Sequence, residues 1–275
     1  MNINGSTELI AHIGFPTAGF KSPSIYNPYF VTAGINAVLV PMACETEPFG
    51  QFLRSLFALR NLRGAVITMP HKVSVMEILD IARPAASIAG ACNAVRLTAD
   101  GKLEGDMFDG IGFVRAVQRQ GLQVPGARVL VVGAGGVGSA IAASLAAQGI
   151  ASISLYDARA EAAESLATRI KEHCPGVAVS TGSSDATECD LVVNATPMGM
   201  NPGDPMPLDV NRIMPGSFVC DVVHSAKPTA FLVAAKAQGA RIQGGADMLF
   251  EQIPAYLEFF GLPSTTPDAL RSLIA

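Results

Sequence analysis

The chain has 275 residues, 49% of them apolar and 15% charged, with a formal net charge of −4 and no tryptophan. That much apolar side chain builds a sizeable core and argues against disorder, while the absence of any basic run argues against a nucleic-acid surface. The length suits one large domain or two moderate ones. Five cysteines (Cys44, Cys92, Cys174, Cys189 and Cys220) stand at irregular spacings without a CxxC pair, the pattern of a reduced, cytoplasmic protein lacking a structural metal site. The opening MNINGSTELIAHIGFP has neither a basic start nor a long apolar stretch, so no signal peptide is expected.

Leu9 to Gly14 reads as a short strand ending in the loop GFPTAGFKSP, where Pro16 and Pro23 preclude regular structure. Pro23 suits the first turn of a helix carrying Ile25, Tyr26, Tyr29 and Phe30. Ala37 to Ala43 is a second strand. Glu47 to Leu59 has helical spacing, with Phe49, Phe52, Leu53, Leu56 and Phe57 as its core face. Ala65 to Met69 is a third strand, and Pro70 opens a loop and helix through Leu79. Ala91 to Thr98 and the segment from Leu103 flank an Ala-Asp-Gly turn as a hairpin. Asp109 then caps a helix over Gly110 to Gln120, where a domain boundary is expected.

The uncharged run from Val129 to Tyr156 is long enough to span a bilayer, but its glycines say otherwise. The β-branched Val129 to Val132 leads into Gly133, Ala134, Gly135, Gly136, Val137 and Gly138, then a small-residue helix to Gly149, a second apolar run, and Asp157. Strand, glycine turn, helix, strand and acid make a βαβ unit with the dinucleotide fingerprint. Gly133 permits the sharp turn, Gly135 the close approach of a pyrophosphate, and Gly138 tight helix–sheet packing. Phosphates then face the N–H groups of the helix start. Asp157 is placed to accept from a ribose 2′-OH and to repel a 2′-phosphate, which favours NAD and leaves NADP possible, since Arg159 offsets the charge in part. Glu161–Lys171 and Thr229–Gln238 read as helices, and Val177–Ser180, Asp190–Ala195, Phe218–Val223 and Arg241–Gln243 as strands of an open, mostly parallel sheet. Asp247–Phe260 and Asp268–Ile274 read as helices that return to the first domain.

A second constellation lies before the glycine turn: Ser22, Thr68, Lys72, Asn93 and Asp109. Each also has a plain structural role, Lys72 as a solvated lysine, Asp109 and Ser22 as helix caps, and Asn93 as a turn residue. Nearly all of them fall at strand or loop ends that line one edge of an α/β domain.

In these segments the chain resembles the shikimate/quinate dehydrogenases. The family's GxPxxHSxSPxxHN stands as GFPTAGFKSPSIYN, its VTxPxK as ITMPHK (Ile67 to Lys72), and its GAxNT as GACNA (Gly90 to Ala94). Its NTDGxGF stands as MFDGIGF, its GAGGxxxA as GAGGVGSA, its NATPxGM is intact from Asn194 to Met200, and its MLxxQ stands as MLFEQ. The resemblance implies an α/β protein of two domains. These are a substrate domain over 1–108 completed by 247–275, and a Rossmann-type NAD(P) domain over 109–246. It implies hydride transfer between NAD(P) and the ring hydroxyl or carbonyl of shikimate, quinate or a related cyclic hydroxy acid. From charge and the lack of a membrane span, no nucleic-acid or membrane partner is expected, and the protein is expected as a monomer or homodimer.

Position by position, the resemblance makes Lys72 and Asp109 the catalytic pair. It gives Asn93, Thr68 and Gln252 to ring hydroxyls and Ser22 to the carboxylate. Gly133 to Val137, Asp157, Arg159, Thr196, Pro197, Met198, Val222, Gly245 and Met248 line the cofactor. The departures fall on the substrate side. Phe20 replaces the first loop serine, Val66 an asparagine, Phe108 the threonine before Asp109, and His224 a tyrosine. Phe20, Phe108 and His224 are therefore expected to reshape the acid pocket, with Phe20 and Phe108 as simple core residues and His224 as a bystander the alternatives. A non-catalytic metabolite sensor, or a dehydrogenase of another carbonyl class, remain the competing functions.

Overall fold

The computed structural model describes residues 2–201, 203–223, 225 and 227–273. The chain forms two compact units, Met1–Phe108 with Gln252–Ala275, and Asp109–Glu251. The division falls inside the last long helix, later than the return to the first domain expected at residue 247.

The first unit is built on a six-stranded sheet in the order β2-β1-β3-β5-β6-β4. Strand β1 (Glu8–Gly14) pairs in parallel with β2 (Ala37–Ala43) and β3 (Leu62–Ile67). A hairpin of β5 (Ala94–Leu97) and β6 (Leu103–Asp106) adds antiparallel to β3, and the two-residue β4 (Ile81–Ala82) lies beside β6. Helix α1 (Pro23–Thr32) begins at a proline, which lacks an N–H that would go unused there, and buries Ile25, Tyr26, Tyr29 and Phe30. Helix α2 (Phe49–Leu56) is shorter than its apolar spacing predicts, because Pro48 occupies the cap and Phe57 the end. Residues 70–79 differ from expectation too. They hold only a 3-10 turn, Ser74–Glu77, whose chain is pinned by the buried His71 rather than by a helical ladder. Helix α3 (Pro84–Ala89), unread in the sequence, is six residues closed by Gly90 in the left-handed region.

The second unit carries α4 (Asp109–Arg119) and a parallel sheet in the order β12-β11-β10-β7-β8-β9. Its strands are β7 (Arg128–Val132), β8 (Ser152–Tyr156), β9 (Ala178–Thr181), β10 (Leu191–Asn194), β11 (Phe218–Asp221) and β12 (Arg241–Gln243). Helices α5 (Gly136–Ala147), α6 (Ala160–His173) and α7 (Ala230–Ala237) connect them. Strand order reverses at β7, which pairs with β8 on one side and β10 on the other. Sheets of this kind bind ligands at the carboxyl ends of the strands where the order reverses.

Helix α8 (Ala246–Phe259) runs from the second unit into the first, and α9 (Pro267–Ser272) follows. Early in α8, Glu251 is bonded by Arg119 at 3.3 Å, and later Tyr256 and Phe259 pack edge-to-face on Phe108. Arg83 and Arg96 stack over Phe259 and both bind Glu104, tying this end of α8 to β6. Among the described residues no helix is long and apolar enough to cross a membrane.

Helices α4 and α5 approach so closely at Gly110 that a Cβ there would overlap the Ala140 carbonyl and the Ser144 hydroxyl. Gly110→Ala should therefore lower unfolding stability by about 1–3 kcal/mol, the usual range for overpacking, measured by urea denaturation.

Candidate active site

The nucleotide end is assembled wholly within the second unit. Gly133 has φ +105 and lies against the backbone of Ala195 and Thr196, so the ends of β7 and β10 meet there without room for a side chain. Its N–H donates to the Tyr156 carbonyl at 2.7 Å, and the Ala134 N–H donates to Asp157 Oδ2 at 2.7 Å. Gly138 seats α5 directly on the Gly133 carbonyl, where no Cβ fits. Gly135, in contrast, faces open space, with nothing within 4 Å of where its Cβ would stand. An open face over a helix start, with the donors of Gly136 and Val137 behind it, fits a pyrophosphate.

Asp157 is fixed rather than free. Its Oδ1 accepts the Arg159 N–H at 2.9 Å, and the Arg159 guanidinium is 3.6 Å away with most of its length in solvent. The NATPMGM turn is held by a buried network. Asn194 Nδ2 donates to the Met198 carbonyl and to Asp221 Oδ1, and Thr196 donates through both N–H and hydroxyl to Asn194 Oδ1. Thr229 closes it with a 2.6 Å hydrogen bond to Asp221 Oδ2. Burial raises the Asp221 pKa, and the bonds from Thr229, Val223 and Asn194 act against that rise. Pro197 is exposed at the turn's tip, Val222 follows Asp221 with its N–H on the Asn194 carbonyl, and Gly245 packs on the Val222 carbonyl. Met248 is buried in α8. His224 lies outside the described residues.

The candidate substrate residues of the first unit gather mostly at the ends of β1, β3 and β5. The Thr68 N–H donates to the Ile13 carbonyl, and the Lys72 carbonyl accepts the Cys92 N–H at 2.7 Å, which fixes Lys72 beside Asn93 in the chain path. Asn93 is fully buried. Its Oδ1 accepts the Phe108 N–H at 2.9 Å, but its Nδ2 has no partner. Gln252, also buried, has an unpartnered Oε1. Leaving such an atom unpaired costs about 1–3 kcal/mol. Ser22 is buried at the start of α1 without capping it by its side chain, which removes the structural role that its position suggests. Asp109 is 3% exposed and is the first residue of α4 and of the second unit, whereas Lys72 is half-buried in the first.

Phe108 and Phe20 take different places. The Phe108 ring, expected to reshape the pocket, is 9% exposed and packs on Tyr256 and Phe259, as a core group of the first unit. Phe20 is half-buried and stacks on His12 with centroids 4.1 Å apart. His12 itself was missed, because a lone histidine inside an apolar strand carries no motif. The signal was there in the alternation of β1, which puts His12 on the same face as Gly14.

Two family models match the chain, one described as the shikimate dehydrogenase substrate binding domain over residues 13–95, the other as shikimate / quinate 5-dehydrogenase over residues 115–200. The shikimate dehydrogenase (NADP(+)) of Desulforamulus reducens is 34% identical, over 99% of this chain and 96% of its own length. The chain belongs to the shikimate/quinate dehydrogenase family. The enzyme of the same name from Rubrobacter xylanophilus is 35% identical, over 98% of this chain and 97% of its own. Among solved structures, shikimate 5-dehydrogenase from Listeria monocytogenes, in complex with shikimate and NAD, matches with a TM-score of 0.90 and 26% identity over 100% of this chain and 99% of that one. Membership in this family makes the protein an NAD(P)-dependent oxidoreductase of two-domain α/β fold, and the glycine turn and the Ile67 to Lys72 segment fall within the matched stretches.

In this family member, His12 has its pKa lowered to about 3, first by burial and then by the charge of Lys72. An unfolded histidine titrates near 6.5, so between the two values the unfolded chain binds the extra proton and the folded one does not. The stability that His12 contributes above pH 6.5 is therefore lost as the pH falls towards 3, at up to about 1.4 kcal/mol per pH unit. Urea unfolding of the wild type and of His12→Gln across that range should show the wild type losing stability relative to the variant. Parallel curves would contradict the assignment.

Proposed function

We propose that the enzyme interconverts the ring hydroxyl and ketone of shikimate, quinate or a related cyclic hydroxy acid. The nicotinamide, when bound, accepts or supplies the hydride. Lys72 and Asp109 share the work of taking the hydroxyl proton during oxidation and returning it during reduction, an amine and a carboxylate being suited to that exchange when partly withdrawn from water. The observation that carries the reading is the pair of unsatisfied buried amide atoms, Asn93 Nδ2 and Gln252 Oε1. An N–H donor and a carbonyl acceptor are both satisfied by hydroxyl groups, which donate and accept alike. Thr68 adds a further hydroxyl contact and Ser22 binds the carboxylate. Gly133 to Val137, Thr196, Pro197, Met198, Val222, Gly245 and Met248 line the cofactor.

Purified protein incubated with shikimate or quinate and either dinucleotide should generate reduced cofactor. Lys72→Ala should lower kcat by about 10²- to 10⁴-fold, the ordinary range for losing a general acid–base group, with thermal stabilisation by substrate retained. Absence of turnover on a panel of cyclic hydroxy acids with both cofactors would sink the proposal.

We further propose a preference for NAD over NADP. Asp157 is held by two backbone N–H groups in front of the glycine turn, so its carboxylate cannot swing away from an incoming 2′-phosphate. Arg159 is too solvated to cancel it. Asp157→Ser should move the ratio of kcat/KM values towards NADP by at least tenfold; an unchanged ratio would refute the role of Asp157.

A further inference from the structure

His12 pairs in register with Val66 of β3 and shares a sheet face with Gly14. On that face a Cβ at Gly14 would overlap Thr68 Cγ2, the Met69 carbonyl and Phe20 Cζ, so Phe20 and Thr68 close over Gly14 beside His12. Only 5% of His12 is exposed, its Nδ1 has no hydrogen-bond partner, and its ring is clamped face-on by Phe20. Burial first, and then the charge of Lys72, keep the imidazole neutral, so the ring lies within the electrostatic field of the proposed catalytic lysine. Here the sequence replaces a serine and an asparagine of the family pattern with Phe20 and Val66, two apolar groups. A buried imidazole with an unused nitrogen, held by stacking on Phe20 and within the field of the proposed catalytic lysine, is equipped to contact what the lysine acts on.

We propose that His12 is a substrate-binding, specificity-determining residue, whose ring nitrogen donates a hydrogen bond to a carboxylate oxygen of the hydroxy acid. In the Nδ1–H tautomer the neutral ring supplies one donor where the serine and asparagine of the family pattern would have supplied several. Phe20 sets the ring plane, and Ser22 supplies a second donor. This rests on the reading of the site as one for a cyclic hydroxy acid.

The test is steady-state kinetics with shikimate, or with quinate if the wild type prefers it, on His12→Phe and His12→Asn. His12→Phe keeps the stack and removes the nitrogen, so KM for the acid should rise roughly tenfold or more. The cofactor KM and kcat should stay within about threefold, as expected when ground-state and transition-state binding fall together. His12→Asn, which retains a donor, should recover part of the loss. In the wild type, titration with the same acid should move the His12 imidazole nitrogen resonances, a readout that holds even if a variant folds poorly. An active wild type whose His12 resonances ignore the acid, or a folded His12→Phe with unchanged KM, overturns the role of His12 alone. A wild type inactive on all cyclic hydroxy acids overturns both this and the function on which it rests.

Discussion

The hydrogen bond from the Phe108 N–H to Asn93 Oδ1 fixes the point at which the chain leaves the first unit. The Asn93 backbone is itself locked, its N–H on the Asp106 carbonyl and its carbonyl accepting the Ile67 N–H. One residue therefore joins the ends of β3 and β6 and sets the path of the segment that becomes Asp109. The carboxamide cannot rotate to seek another partner without releasing a buried N–H, so its Nδ2 is presented in a fixed direction. Preorganisation of this kind costs stability in the free protein and spares it on binding. The aromatic cluster of Phe108, Tyr256, Phe259 and Phe260, with Arg83 and Arg96 laid over Phe259, holds the same segment from the other side.

The second unit follows a comparable logic with backbone in place of side chains. Gly133 and Gly138 bring β7, β10 and α5 into contact that no larger residue permits, and Asp157 ties the turn to the end of β8 through the Ala134 N–H. The acid that would read the ribose is thus also a structural member of the turn. The buried Asn194–Asp221–Thr229 network does the same for the NATPMGM turn, satisfying every charged oxygen of Asp221 from within. Such a network is stable because it is complete, and it leaves the surface of the turn free to meet a ligand.

The first unit is where orphaned polar atoms concentrate: Asn93, Gln252, His12 and His71 all keep one ring or amide atom unpaired. His71 is accounted for structurally, since its Nε2 bonds the Cys44 carbonyl at 2.7 Å and its ring stacks on Phe49 at 3.9 Å. His12 has the stack without the bond, and that difference separates a scaffold histidine from one with a partner to find. On the reading proposed above, the apolar replacements at positions 20 and 66 and the imidazole at position 12 act as a single change in pocket chemistry.

The amino-acid sequence by itself determined the βαβ unit, its acid and most strands, because glycine conformational freedom, β-branched runs and helical spacing are properties of neighbouring residues. It also carried the ordered motifs that identify the family. It misjudged α2 and residues 70–79, where apolar spacing imitated a longer helix and proline and a buried histidine set the backbone instead. Only the tertiary structure decided that the Phe108 ring belongs to the core, that the Ser22 side chain makes no capping bond, and that Phe20 lies on His12. Whether a buried nitrogen or oxygen finds a partner depends on residues far away in the chain. Local pattern could therefore name Asn93 and Gln252 but not show what they lack, and it could not find His12 at all.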